Sequence, residues 1–97
     1  MFDLIIDPGF GFGKTLIHNY EILNNLKKFQ SLNLPILSGC SRKSMIYNLL
    51  DCDAESALNG TTITNTLSLV NGANILRVHD VKEAVECAKI VNFAQNN

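Results

Sequence analysis

Three short apolar runs set what this chain can become: Leu4-Ile5-Ile6, Ile36-Leu37, and Ile75-Leu76 through Val78. Each lies beside Pro or Gly and is followed by a segment of helical period, so the predicted order is β-α-β-α-α-β-α. Strands separated by helices need crossover connections, which makes the pairing parallel. Three parallel strands have two open edges, and a parallel sheet needs both faces covered. A free-standing sheet of this kind is marginal. The expectation is that another chain completes it, or that an N-terminal portion is missing.

The helices follow from periodicity. Residues 20–29 place Ile22, Leu23, Leu26 and Phe29 on one stripe, with Asn19 as the expected cap. Met45, Ile46, Leu49 and Leu50 predict a short helix. A longer one is expected over 61–71, with Ile63, Leu67 and Val70 inward and Gly72 as its stop. The last helix opens on Asp80 and Glu83, spaced as a capping box, and repeats Val81, Ala84, Val85, Ala88 and Val91.

Composition narrows the class. The 97 residues are 46% hydrophobic and 18% charged with a net charge of -1, an ordinary globular balance. That balance leaves no electrostatic footprint for nucleic acid or an anionic membrane. No apolar run approaches the roughly 18 residues that span a bilayer. The opening Met-Phe-Asp-Leu-Ile-Ile-Asp is too short and acidic for a signal peptide, so a cytoplasmic location is expected. Cys40, Cys52 and Cys87 are odd in number and lack C-x-x-C spacing, which predicts reduced thiols rather than disulfides or zinc.

In α/β folds ligands meet the carboxyl ends of the strands, so the residues after each run carry the chemistry. The first tip is Asp7-Pro-Gly-Phe-Gly-Phe-Gly13-Lys14-Thr15. A phosphate-binding P-loop needs G-x-x-x-x-G-K-[ST], and Pro8 stands where its first Gly belongs. No helix is expected to begin at Lys14-Thr15, and Lys14 is read as a solvated side chain on a flexible turn. Asp7, at a strand end before Pro, can accept two parallel N–H bonds from an amidine-like edge. Judged alone, it serves equally as a loop cap.

The second tip, Gly39-Cys-Ser41-Arg42-Lys43-Ser44, joins strand to helix with hydroxyls and cations at the junction. Such a junction favours an anion, carboxylate or phosphate. Taken alone, it is as well explained by solvated surface charge. In the third tip, Arg77-Val-His79-Asp80, alternation places Arg77 and His79 on one face together with Ile75. Arg77 supplies a fork of donors suited to oxyanions.

Taken together, in this order and at this spacing, the three tips resemble the last three strand-end motifs of the dihydropteroate synthase family. The resemblance covers essentially the whole chain. It implies an α/β fold built from the C-terminal three βα units of a (β/α)₈ TIM barrel, an incomplete barrel, with residues 1–97 forming one partial pterin-binding domain. A complete barrel runs to roughly 250 residues. The implied activity is a folate-pathway transferase joining p-aminobenzoate to hydroxymethyl-dihydropterin diphosphate. Its products are dihydropteroate and diphosphate.

By the same resemblance Asp7 holds the amino-pyrimidine edge of the pterin, and Lys43, beside Gly39, bonds the pterin from the opposite tip. Arg77 lines the pterin pocket and, with His79, binds diphosphate. Ser41, Arg42 and Ser44 border the p-aminobenzoate site, and Phe12 packs against its ring. Mg²⁺ is the implied cofactor, with its ligand in the missing N-terminal part and no metal ligand in this chain. A homodimer is within the family pattern. Two other readings stay open: an inactive remnant or fragment needing a complementing chain, and, ranked last, a P-loop-like phosphate-binding module.

Overall fold

The apolar runs pair as their spacing requires. In the computed structural model, which describes residues 4–11 and 14–97, Ile6 N donates to Pro35 O and Leu37 N to Ile6 O, both at 2.8 Å. These bonds make a parallel bridge between Ile6 and Ile36. Strand β1 (Leu37–Ser38) then pairs in parallel with β2 (Ile75–Leu76), in the register Leu37↔Ile75 and Ser38↔Leu76. The second run is central, and the spatial order follows the chain order. The ladders are shorter than the apolar runs that predict them, because the backbone turns into the tip loops at Gly39 and beyond Arg77. Leu4 and Ile5 remain exposed.

Helix α1 (Leu16–Asn24) starts earlier than predicted. Its cap is Thr15, whose hydroxyl accepts the His18 N–H, and Asn19 lies buried inside the helix. A helix therefore does begin immediately after Lys14-Thr15, contrary to expectation. The stripe from Ile22 to Phe29 is split at Asn25, where α1 gives way to a 3₁₀ segment (Leu26–Leu32). Leu23 and Leu26 are nonetheless buried, with Ile22 and Phe29 packed against the core. In α2 (Ser44–Tyr47) Met45 and Ile46 are buried as predicted. Leu49 and Leu50 lie beyond its end and are exposed, because the helix is only one turn long.

Helix α3 (Leu58–Val70) inverts the sequence expectation. Ile63, Leu67 and Val70 are 51%, 43% and 45% exposed, whereas Gly60, Thr61, Thr64, Asn65 and Ser68 are buried. The physical reason is close approach with local hydrogen bonding. Ser68 Oγ meets Ser38 Oγ of β1 at 2.8 Å and also donates to Thr64 O. Thr61 Oγ1 accepts the Arg42 N–H at 3.0 Å. At Gly60 an added Cβ would run into Ile46 and Leu50, so only the smallest residue fits there. Gly72 at φ +104° ends the helix as predicted.

Helix α4 (Val81–Gln95) packs along α3 through Ala84, Cys87 and Val91. Val81 and Val85 are exposed. The expected capping box does not form: Asp80 stands at the N-cap, but its carboxylate is taken by Arg42. The core gathers Phe10, Leu23, Leu26, Ile36, Met45 and Ile46 beneath the tips. Cys40, Cys52 and Cys87 are free thiols. Among the described residues no helix is long and apolar enough to cross a membrane.

Candidate functional site at the strand tips

The first tip is a glycine loop held from several sides. Asp7 Oδ1 accepts the Gly9 N–H at 2.9 Å and closes the turn. Gly9 and Gly11 have φ of +72° and +98°, a region that side chains on the backbone disfavour. Between them Phe10 drops into the core. Lys14 Nζ donates to Gly9 O at 2.8 Å, so it is a loop tie and not the solvated cation predicted. Asn19 Oδ1 accepts the Gly11 N–H at 2.8 Å while its Nδ2 donates to Thr15 O. Phe10 and Asn19 were missed as site-shaping residues. The i, i+4 step from Thr15 to Asn19 was the available signal for the second.

The second tip turns through Ser41 and Arg42, where Arg42 adopts the left-handed conformation at φ +53°. Its backbone N–H is satisfied by Thr61. Its guanidinium forks onto Asp80, with Nε to Oδ2 at 2.9 Å and NH2 to Oδ1 at 3.0 Å. NH1 reaches Ala54 O and Glu55 O at 2.7 and 2.9 Å. These hydrogen bonds to Arg42 hold the Asp80 carboxyl below the usual aspartate range, and Asp80 in turn raises Arg42. Burial pushes the neighbouring Cys40 thiol up from its ordinary value.

Lys43 Nζ reaches across to the first tip and donates to Phe10 O at 3.0 Å. Arg77 NH2 reaches the same tip from the third, donating to Asp7 Oδ2 at 3.0 Å. Both members of that pair are substantially exposed. His79 Nδ1 lies 2.8 Å from Ser41 Oγ, which also accepts the His79 backbone N–H at 3.2 Å.

Gly39, Ser41, Lys43, Arg77 and His79, five of the residues singled out in the sequence, thus line one open pocket of about 250 Å³ with Val78. Asp7 is joined to it through Arg77. Arg42 and Ser44 do not line it, the former because its guanidinium is turned onto Asp80. Phe12 lies outside the described residues. A larger cavity of about 580 Å³ lies on the α1 side, lined by Lys14, His18, Glu21, Ile22, Lys28 and Phe29, and shares no lining residue with the tip pocket. The tip pocket, with Lys43, Arg77 and His79 in its lining and Asp7 beyond Arg77, sits at the end of the sheet where α/β ligands bind.

The described residues around the pocket are not arranged to hold Mg²⁺. Among the described residues no three His, Cys, Asp or Glu side chains gather to hold a metal. The two carboxylates near the pocket, Asp7 and Asp80, are each engaged by an arginine.

The family model described as "Pterin binding enzyme" matches residues 2–79. The dihydropteroate synthase of Escherichia coli (strain K12) is 50% identical over 88 residues, which is 91% of this chain and 31% of that protein. That of Haemophilus influenzae is 43% identical over 94 residues, 97% of this chain and 34% of the relative. The crystal structure of 7,8-dihydropteroate synthase from Vibrio fischeri ES114 superposes with a TM-score of 0.93 at 44% identity, covering 96% of this chain and 34% of that one. A Yersinia pestis dihydropteroate synthase gives 0.93 at 43% identity over 96% of this chain and 44% of the other. The chain spans about a third of the length of the curated relatives it matches. It belongs to the pterin binding enzyme family.

Proposed function

We propose that this chain supplies the last three strand tips of a (β/α)₈ barrel that makes dihydropteroate. In this reading p-aminobenzoate displaces diphosphate from hydroxymethyl-dihydropterin diphosphate: a C–N bond forms, a C–O bond breaks, and the amine loses a proton. The observation that carries the reading is the convergence of Asp7, Lys43, Arg77 and His79 from three tips around one opening.

Their chemistry suits the substrates. The Asp7 carboxylate offers two acceptors to the amino-pyrimidine edge of a pterin. Lys43 gives a donor to the opposite side of the ring. Arg77 and His79 meet the negative charge that builds on diphosphate as it leaves. The aromatic amine is already a nucleophile at neutral pH, so no general-base triad is needed. Ser41 and Ser44, with Phe12, are proposed to border p-aminobenzoate. The metal that the resemblance implies would take its ligands from outside these residues, and no step here runs through it.

The Asp7–Arg77 pair fits ligand entry. Exposed ion pairs are worth roughly 0.2–1 kcal/mol, so a pterin for Asp7 and an anion for Arg77 can separate them at small cost. The open sheet edges support the companion reading that catalysis needs a complementing N-terminal portion.

Calorimetry with a non-reactive pterin diphosphate analogue tests both. Binding is expected either to the chain itself or to the chain mixed with a complementing N-terminal barrel portion. Lys43→Ala and Arg77→Ala should each weaken it by roughly 10- to 150-fold, the value of a hydrogen bond to a charged group. Near-parent affinity in both variants would overturn the assignment.

A further inference from the structure

The second and third tips are sewn together by adjacent residues on each side. Ser41 pairs with His79, and Arg42 with Asp80, each pair through two hydrogen bonds. Only one member of the second pair touches anything else of note: Arg42 also grips Ala54 O and Glu55 O. Four of the five guanidinium N–H donors are therefore committed inside the protein, none of them to the pocket. The pair is partly buried, at 22% and 21% side-chain exposure. A non-glycine residue in the left-handed region persists where its surroundings over-determine it. Here the Thr61 hydroxyl, the Asp80 carboxylate and two carbonyls do so. Arg42 is built to fix the loop.

What that loop fixes is Ser41. Its hydroxyl is buried and accepts the His79 backbone N–H, which leaves its own hydrogen free to point at Nδ1. With Nδ1 as acceptor, the neutral imidazole carries its proton on Nε2. The ring itself is exposed at the pocket.

We propose that Arg42, Asp80 and Ser41 are positioning residues: the Arg42–Asp80 fork locks the second tip to the third, and Ser41 thereby presents His79 as an Nε2–H donor to the pocket. This rests on the proposed function only for the identity of the anion that His79 meets. It moves Arg42 from the substrate border to the support behind it.

The test uses the whole chain, labelled with ¹⁵N at histidine, at a pH where the imidazole is neutral. The expected spectrum shows His79 protonated at Nε2, with Nδ1 shifted by an accepted hydrogen bond. Ser41→Ala should remove that shift. Arg42→Gln, Arg42→Lys and Asp80→Asn should each remove it too, although none touches the ring, and Arg42→Gln with Asp80→Asn together should do no more than either alone. A proton on Nδ1 in the parent, or an unchanged His79 signal in Arg42→Lys and Asp80→Asn, would overturn the proposal. If the arginine variants unfold, Asp80→Asn still tests the fork and Ser41→Ala still tests the ring contact: an unchanged His79 signal in either would overturn the proposal.

Inorganic diphosphate titrated into the same samples gives the second reading. Its affinity should fall about tenfold in Asp80→Asn, the scale of a coupled polar network. Failure of the parent to bind diphosphate, both alone and with the complementing barrel portion, would count against the transferase reading, while the His79 spectrum would still decide this one.

Discussion

The junction between the second and third tips and the junction joining the first tip to them are held by opposite means. The former uses Arg42 and Asp80, which do not line the pocket, together with the buried Ser41. The latter uses Lys43 on Phe10 O and Arg77 on Asp7, and these are the side chains assigned to ligand. A ligand that recruits Lys43 and Arg77 competes with their bonds to the first tip, whereas the Arg42–Asp80 fork lies outside the pocket and is not drawn on. In the proposed reading one side of the pocket is a wall and the other is a latch.

The severest way to break the comparison is to remove what lies beneath both junctions. Ile36 is fully buried, bridges Ile6 on one side, and passes its carbonyl to Asn74 N and Ile75 N on the other. Ile36→Ala should cost about 2–5 kcal/mol, as buried large-to-small changes do. In a two-strand sheet extended by a single bridge that is enough to unfold the chain, read as loss of the cooperative transition in urea by circular dichroism. A variant retaining its transition within about 1 kcal/mol of the parent would show that the sheet is not the common support.

A smaller effect separates the two junctions by pH. The Arg42 hydrogen bonds hold Asp80 below the ordinary aspartate value of about 3.9. The contribution of the pair is therefore complete above that value and is lost as pH falls through the lower folded one. Asp80→Asn should flatten the acid limb of a stability–pH curve in that window and leave it unchanged near neutrality apart from a constant offset. Asp53, lowered by its bonds to Ser56, keeps a residual slope in both proteins. An acid limb identical to the parent's would mean that the fork does not stabilise the wall.

Much of this arrangement was legible beforehand, and the misses have a common cause. The three runs, their parallel pairing and the grouping of Lys43, Arg77 and His79 follow from apolar spacing and from where strands end. The face of α3 did not. Ile63, Leu67 and Val70 carry the helical period, but Thr61 and Ser68 turn inward because Arg42 N and Ser38 Oγ wait there, 19 and 30 residues away. Asp80 reads locally as a capping residue for Glu83, yet its carboxylate meets Arg42 across 38 residues. Asn19 reads as a helix cap, yet it holds Gly11 from inside α1. Periodicity reports apolar demand along one element. It is silent where a polar group finds its partner on another.

The gentlest perturbation sharpens the comparison most. Asp7→Asn removes the charge that Arg77 meets, on a pair whose side chains are 43% and 65% exposed. Such a pair contributes roughly 0–1 kcal/mol, so the urea midpoint should barely move. Asn keeps an acceptor for the Gly9 N–H, which preserves the turn. It also replaces one acceptor oxygen by a donor, which cannot serve the two parallel N–H groups of a pterin edge. Pterin-analogue affinity measured by calorimetry on the same sample should therefore fall by a factor far larger than the stability change implies. Equal, small losses in both would make the first tip a structural loop. A large loss of stability would make it a second wall and end the distinction between the two sides.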